Sequence, residues 1–438
     1  MGTSYSFRHH AAALVCIVFV LPFFLGCEKK LPTRDAVISG GSMAPSLLGE
    51  HYKVKCIECG TEFACGTKNP ADNKVVCPNC GCRENSIEKA KLQPADKVQV
   101  VLMDEAARGQ LQRGEIVAFK LTDDEESVAV KRVIGLPGEK IQIRHGDIFV
   151  DDKLFRKSIE QQKSWRIPVF DSQKAVKTKG AAERIEGTGG SEIWNDFLWS
   201  YFAHVHKDRY GTDGETPELE WATYRNWRCC RHDGQRTDEF PIEDYYAFNQ
   251  DLNRNLHPTD ELYFQVDVQC QPDAILFIAV PHSGVNYKLN FDFEKKLGSL
   301  MNPLGALGEF ELSDKIKAGD NVIEVSTIDH RLVIIIDGTE VFRQSIFRAK
   351  NVADVAAIPV GLTFPKGTVK LNRLQIWRDV YYLNEGPFYE DGDENKAFVA
   401  GDDEFVLLGD NCPVSSDSRH WEKSTIDVKQ IIGNVVSD

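Results

Sequence analysis

The chain has 438 residues, 42% of them hydrophobic and 27% charged, which suffices for two or three hydrophobic cores and reads as folded rather than disordered protein. Its formal net charge of −14 argues against a nucleic-acid-binding surface, because phosphate binding needs a basic face.

In chain order, Arg8, His9 and His10 precede an apolar run from Ala11 to Cys27. The run sits at the lower limit for a membrane-spanning helix and also matches the apolar part of a secretion signal. Residues 1–35 are therefore expected to be an N-terminal hydrophobic anchor or a lipoprotein signal ending at Phe24-Leu25-Gly26-Cys27, with a removed signal peptide as the third option. Each option puts the chain on the export pathway, and the first two leave it on a membrane. Lys29, Lys30 and Arg34 follow the run, so flanking charge sets no orientation.

Residues 36–50 and 94–156 read as short strands and turns. Val/Ile-rich stretches at Lys97–Leu102, Glu115–Lys120, Ser127–Ile134 and Lys140–Ile143 are punctuated by Gly and Pro. Residues 398–438 return to this pattern, with a strand expected at Glu404–Leu408.

Two insertions interrupt that β core. Six of the twelve cysteines fall between Cys56 and Cys82. Cys56-x2-Cys59 and Cys77-x2-Cys80, each followed by Gly, have zinc-ribbon spacing, and four thiolates suit a tetrahedral structural zinc ion. Disulfides are the alternative, favoured by an oxidising compartment. Cys65 and Cys82 are then spare, and His51 reads as a surface residue. A ribbon over 51–93 is an insertion, because removing it halves the separation between Ser42 and Lys131.

The second insertion spans 157–397. Residues 157–250 show no confident element. Trp194, Trp199, Trp221 and Trp227 there read as core packing or an aromatic binding surface, Cys229–Cys230 as free thiols or a vicinal disulfide, and the acidic run Asp123–Glu126 upstream as a solvated hairpin tip. Over 260–383 eight strands are expected, at Leu262–Val268, Ala274–Val280, Tyr287–Phe293, Asn321–Ser326, Arg331–Ile336, Glu340–Gln344, Val360–Phe364 and Lys370–Arg378. Asp337-Gly338 marks a hairpin. Many short strands with tight turns indicate a β-sandwich, and this segment resembles the laminin-G and concanavalin-like jelly rolls. The fold class expected is mostly β.

Three separated segments carry the chemistry. In Ser39-Gly40-Gly41-Ser42-Met43-Ala44-Pro45, two glycines let the backbone turn sharply before an exposed serine. A serine hydroxyl needs a base, and no histidine stands in a suitable context. Lys131, in Val128-Ala129-Val130-Lys131-Arg132-Val133-Ile134-Gly135-Leu136-Pro137-Gly138-Glu139, lies in an apolar strand where desolvation would favour the neutral amine. Taken singly, Ser42 reads as a turn serine and Lys131 as a strand-end lysine. The third segment, Gly409-Asp410-Asn411-Cys412-Pro413-Val414-Ser415-Ser416-Asp417-Ser418-Arg419, changes that reading.

Together the three segments resemble the boxes of the type I signal peptidase family. The resemblance covers about 120 residues. It implies a signal-peptidase-type β core over 36–50, 94–156 and 398–438, with Ser42 as nucleophile, Lys131 as general base and no catalytic cofactor. It also implies Ser415 orienting Lys131, Asp410, Asp417 and Arg419 bracing the site, and Met43 and Pro45 beside the substrate. Gly40 stands where some members carry a serine that helps bind the oxyanion, so the oxyanion would rely on backbone donors, chiefly Ser42 N–H. Cys412-Pro413 departs from the family's charged residues. The expected substrates are signal-peptide-bearing pre-proteins with small residues at −3 and −1, cut on the outer face of a cell membrane. An inactive or specialised paralogue binding peptides or glycans through the sandwich is the competing reading, and a self-cleaving Ser–Lys peptidase is opposed by the membrane segment.

Overall fold

The computed structural model describes residues 31–437 except 59, 69–71, 80, 122–127, 174–201, 205–221, 225, 227–239, 313–318, 347–354, 357–358, 367–368 and 385–395. The expectations for the apolar run with Cys16 and Cys27, for Asp123–Glu126, for Trp194, Trp199, Trp221, Trp227 and Cys229–Cys230, and for Cys59 and Cys80 lie outside those residues. Among the described residues no helix is long and apolar enough to cross a membrane.

The chain is mostly β. Its core is a seven-stranded sheet in the order Thr33–Val37, Lys97–Leu102, Ile431–Ser437, Ile116–Lys120, Val128–Gly135, Glu404–Leu408, Ile426–Asp427. Neighbours run antiparallel, so strands from the two ends of the chain meet: Val100 lies opposite Val435, and Leu408 opposite Arg132. Val117, Phe119, Val133, Phe405 and Leu407 form one apolar cluster of this sheet. Ile38, Met43, Leu47, Val98 and Val100 form another, beneath the Ser42 loop. A four-stranded sheet follows, in which Lys140–Arg144 pairs with Asp147–Val150 and with Ala397–Val399.

The large insertion is a two-sheet sandwich. One sheet orders Ile167–Asp171, Val369–Arg378, Leu262–Cys270, Gly319–Ser326, Arg331–Ile336 and Thr339–Ser345; the other orders Phe202–His204, Ala222–Tyr224, Gly361–Lys366, Ile275–His282, Val285–Asp292, Leu297–Asn302 and Gly305–Glu311. Phe264, Val266, Val268, Ile278, Leu289, Ile323, Ile334 and Leu374 fill the space between them. Arg331–Ile336 is buried throughout because Leu332, Ile334 and Ile336 face the sandwich interior, while Val333 and Ile335 pack with Tyr263 and Ile328 on the other side.

Two differences from the sequence reading have physical causes, and one expected turn is present. Residues 157–250, read without elements, contain the helix Ile159–Trp165, started by a Ser158/Gln161 capping box, and the strand Ile167–Asp171 that joins the sandwich. The hairpin Leu297–Asn302 with Gly305–Glu311 escaped because its second strand is glycine-rich and mostly exposed, with little alternation to detect. Asp337 and Gly338 do adopt left-handed φ values of 47° and 77°, as a two-residue hairpin turn requires.

The cysteine-rich insertion forms a three-stranded sheet, Glu62–Gly66, His51–Lys55 and Lys91–Gln93, beside a two-stranded ribbon, Lys74–Val75 with Asn85–Ser86. Its two cysteine turns share one hydrogen-bond pattern. Gly60 N–H donates to Cys56 O and Cys56 N–H to Thr61 O; Gly81 N–H donates to Cys77 O and Cys77 N–H to Cys82 O. Gly60 and Gly81 are both left-handed, with φ of 72° and 68°.

Candidate active site

Ser42 sits in the turn that follows the edge strand Thr33–Val37. Ala44 N–H bonds to Gly41 O and Leu47 N–H to Met43 O, so the turn is closed by its own backbone. Met43 is 1% exposed and belongs to the core cluster beneath the turn. Its apolar side chain anchors the Ser42 loop from below, so the expected contact of Met43 with substrate would run through its backbone. Pro45 is half-buried. Gly40 is exposed, and a Cβ there would touch nothing within 4 Å, which leaves open space near Ser42.

Lys131 projects from the Val128–Gly135 strand, opposite Val117. Its Nζ donates to Ser42 Oγ at 2.8 Å and to Val130 O at 3.0 Å. Lys131 is 5% exposed. Burial pushes its amine below the ordinary lysine range, and the carboxylates of Asp417 and Asp410 only partly oppose this.

Both carboxylates are committed elsewhere. Asp410 takes a bidentate pair from Arg132, Nε to Oδ1 at 2.7 Å and Nη2 to Oδ2 at 2.5 Å, and accepts the Ser46 hydroxyl. Asp417 takes a bidentate pair from Arg419 at 2.8 and 2.7 Å and accepts Gly409 N–H at 3.0 Å. Burial would raise the Asp417 carboxyl, but Arg419 and these donors hold it below its usual value. Arg419 also donates to Leu383 O, Cys412 O and Cys412 Sγ, so the Cys412 departure is absorbed as an acceptor.

Ser415 is buried beside Gly409, yet its hydroxyl makes no hydrogen bond of good geometry; it lies close enough to Asp417 to favour that carboxylate. Lys131 is held by Ser42 and Val130, and no Ser415–Lys131 bond is formed in this conformation. Gly409 explains the crowding: a Cβ there would fall 2.2 Å from Ser415 Oγ and 2.5 Å from Ser42 O.

Sequence reasoning missed four residues. Arg132 neutralises Asp410 and is itself stacked on Trp165, its guanidinium 5.1 Å from the ring. Asn411 donates from Nδ2 to Gly41 O and from its backbone to Ser42 O. Phe248 and Asn249, from the insertion, reach this loop. Two of them had a signal in the sequence: Arg132 is adjacent to Lys131, and Asn411 lies in the third segment beside Asp410.

Cys56 and Cys77 are buried, as are Cys65 and Cys82. Burial pushes the Cys65 thiol up to about 12 and, with Cys56 alongside, the Cys82 thiol to about 11.

Residues 9–186 match the family model "Signal peptidase, peptidase S26", a segment that contains Ser42 and Lys131 but not Gly409–Arg419. The chain is 29% identical over 100 residues to signal peptidase I of Rickettsia akari (strain Hartford), covering 23% of this chain and 34% of that protein. The same figures hold for signal peptidase I of Rickettsia felis. The chain thus spans about a third of the length of the curated relatives it matches. Among solved structures, a galectin of Caenorhabditis elegans aligns at 10% identity over 26% of this chain and 81% of its own, TM-score 0.21. A sialidase carbohydrate-binding module of Ruminococcus gnavus aligns at 11% identity over 27% and 76%, TM-score 0.21. The segment that brings Ser42 and Lys131 to this sheet is similar to the signal peptidases of peptidase family S26.

Proposed function

We propose that the chain is a Ser–Lys serine endopeptidase of the type I signal peptidase kind, removing N-terminal signal peptides from exported pre-proteins after small residues at −3 and −1. The observation that carries this reading is the 2.8 Å contact between Lys131 Nζ and Ser42 Oγ in a site that desolvates the amine. Ser42 Oγ attacks the scissile carbonyl as Lys131 Nζ takes its proton. Backbone donors, chiefly Ser42 N–H, receive the oxyanion. The Lys131 ammonium then protonates the leaving amine, and water activated by the regenerated amine hydrolyses the acyl-enzyme. Attachment through residues 1–35 would hold this site at the outer face of the membrane, beside emerging precursors.

The test is cleavage of an exported precursor by the full chain and by Ser42→Ala and Lys131→Ala. Each variant should lose at least about 10³-fold in kcat, because such a pair acts as a unit. Wild-type turnover in both variants would remove the pair from the mechanism.

Cys56, Cys59, Cys77 and Cys80 would hold a structural zinc ion. The matched hydrogen-bond pattern of the Cys56 and Cys77 turns, with both thiols buried, supports this. Zinc would cross-link two turns and has no part in the chemistry. Metal analysis of the full chain should find one zinc, lost with Cys56→Ser; no metal together with no titratable thiol would mean disulfides instead.

A further inference from the structure

The second insertion enters the active site itself. Residues Tyr246–Gln250 thread between the cysteine-rich insertion and the nucleophile loop. Gln250 brackets Val76, accepting its N–H at 2.9 Å and donating to its carbonyl at 3.1 Å. Phe248 O accepts Gly66 N–H at 3.0 Å. On the catalytic side the Tyr246 hydroxyl donates to Asp410 O at 2.8 Å. The carboxamides of Asn249 and Asn411 exchange two hydrogen bonds, at 2.7 and 2.8 Å. Both asparagines are buried, Asn249 at 7% exposure and Asn411 at 0%.

Asn411 passes that constraint to the nucleophile. Its Nδ2 donates to Gly41 O at 2.8 Å and its backbone N–H to Ser42 O at 3.0 Å, so the carbonyls on both sides of Ser42 are pinned. Gly41 C=O and Ser42 N–H belong to one planar peptide, so fixing the first fixes the direction of the second. An Asn411 carboxamide free to rotate could present its oxygen to Gly41 O, which would repel. Gly41 O selects the orientation with nitrogen toward it, and the two bonds to the Asn249 carboxamide hold Asn411 in that orientation. The ring of Phe248 closes the other side, where a Cβ on Gly41 would fall 2.4 Å from it.

We propose that Asn249 is a positioning residue of the peptidase: through Asn411 it orients the Gly41–Ser42 peptide so that Ser42 N–H faces the developing oxyanion, and the large insertion thereby completes the active site. This rests on the Ser42–Lys131 reading above. A positioned donor acts in the transition state and not on bound substrate, and loss of one such donor costs about 10²–10³ in kcat. Losing only its alignment should cost less, about 10- to 100-fold.

The experiment uses the full chain and a precursor with alanine at −3 and −1. Asn249→Ala and the isosteric Asn249→Asp, which sets a carboxylate oxygen against Asn411 Oδ1, should each lower kcat about 10- to 100-fold with KM within about twofold. In a Ser42→Ala background, affinity for the uncut precursor should be the same with Asn249 or Ala at that position. Three results overturn the role. One is wild-type kcat in both folded variants. Another is a parallel loss of kcat, precursor affinity and melting temperature in both, which marks general disruption. The third is a folded wild-type chain that cuts no precursor, which removes the peptidase reading along with it, whereas the first two leave that reading standing.

Discussion

Among the described residues two lysines are buried about equally, and the molecule does opposite things with them. Lys131 is 5% exposed and Lys157 is 4% exposed. At Lys131 burial wins and the amine is pushed below its ordinary range. At Lys157 burial pushes the same way, but Asp329, Asp379 and Glu261 hold the ammonium well above its ordinary value. Lys157 Nζ is 2.5 Å from Asp329 and 2.8 Å from Asp379. Lys131 also has two aspartates nearby, but each already holds an arginine: Asp410 holds Arg132, and Asp417 holds Arg419. A buried lysine becomes a base when its neighbouring anions are already neutralised, and a structural cation when they are not.

The largest effect expected from this contrast is at Lys157. It joins the loop entering the insertion to Asp329 on the sandwich and to Asp379 where the chain leaves it. Lys157→Met leaves the buried Asp379 without its cation and Asp329 with only Arg331, 3.7 Å away, and should cost about 3–5 kcal/mol in chemical denaturation. A loss below about 1 kcal/mol would mean that the carboxylates simply take up protons; burial, with Asp329 alongside, already raises the Asp379 carboxyl to about 6.

The second effect concerns the arginines around Lys131. Arg419→Met frees Asp417 to stabilise the ammonium, so the acid limb of kcat/KM against pH should move to higher pH. Asp417→Asn removes that carboxylate and leaves Arg419 in place, so the limb should move to lower pH. Limbs that stay put, or move together, would break the claim that neutralised carboxylates tune the base.

What the sequence revealed follows the same division. Strands with alternating or continuous apolar residues were legible, as in Leu262–Cys270 and Arg331–Ile336, because periodicity records which face is buried. Ser42 and Lys131 were legible only as parts of three boxes; neither the glycines before Ser42 nor the valines around Lys131 fix the 2.8 Å contact. Lys157 gave no signal, since Asp329 lies 172 positions away. Asn249 gave none either: it sits in a polar stretch without periodicity, and its partner Asn411 is 162 positions distant. Met43 shows the same limit: its place next to Ser42 does not reveal that its apolar side chain packs into the core. Local pattern reports burial; pairing across long sequence separations is set by topology, and single residues do not encode it legibly.

The smallest effect has the opposite sign from the first. Lys131→Met keeps the length and removes the amine, so it should abolish cleavage yet stabilise the fold by about 1 kcal/mol at neutral pH, the usual scale for relieving a strained functional group. The sign follows from linkage. The Lys131 pKa is lowered in the folded chain, so between that value and the ordinary lysine value the unfolded chain binds more protons, and native stability rises with pH. The desolvation cost is fully present below the folded pKa and fades as pH rises through that window toward the ordinary value. The advantage of Lys131→Met should therefore be greatest below the folded pKa and shrink as pH rises toward the ordinary lysine value. Denaturation midpoints of both proteins across that range decide it. A variant less stable than wild type at neutral pH would mean that the bonds to Ser42 Oγ and Val130 O outweigh desolvation, and that Lys131, like Lys157, is held as a structural cation.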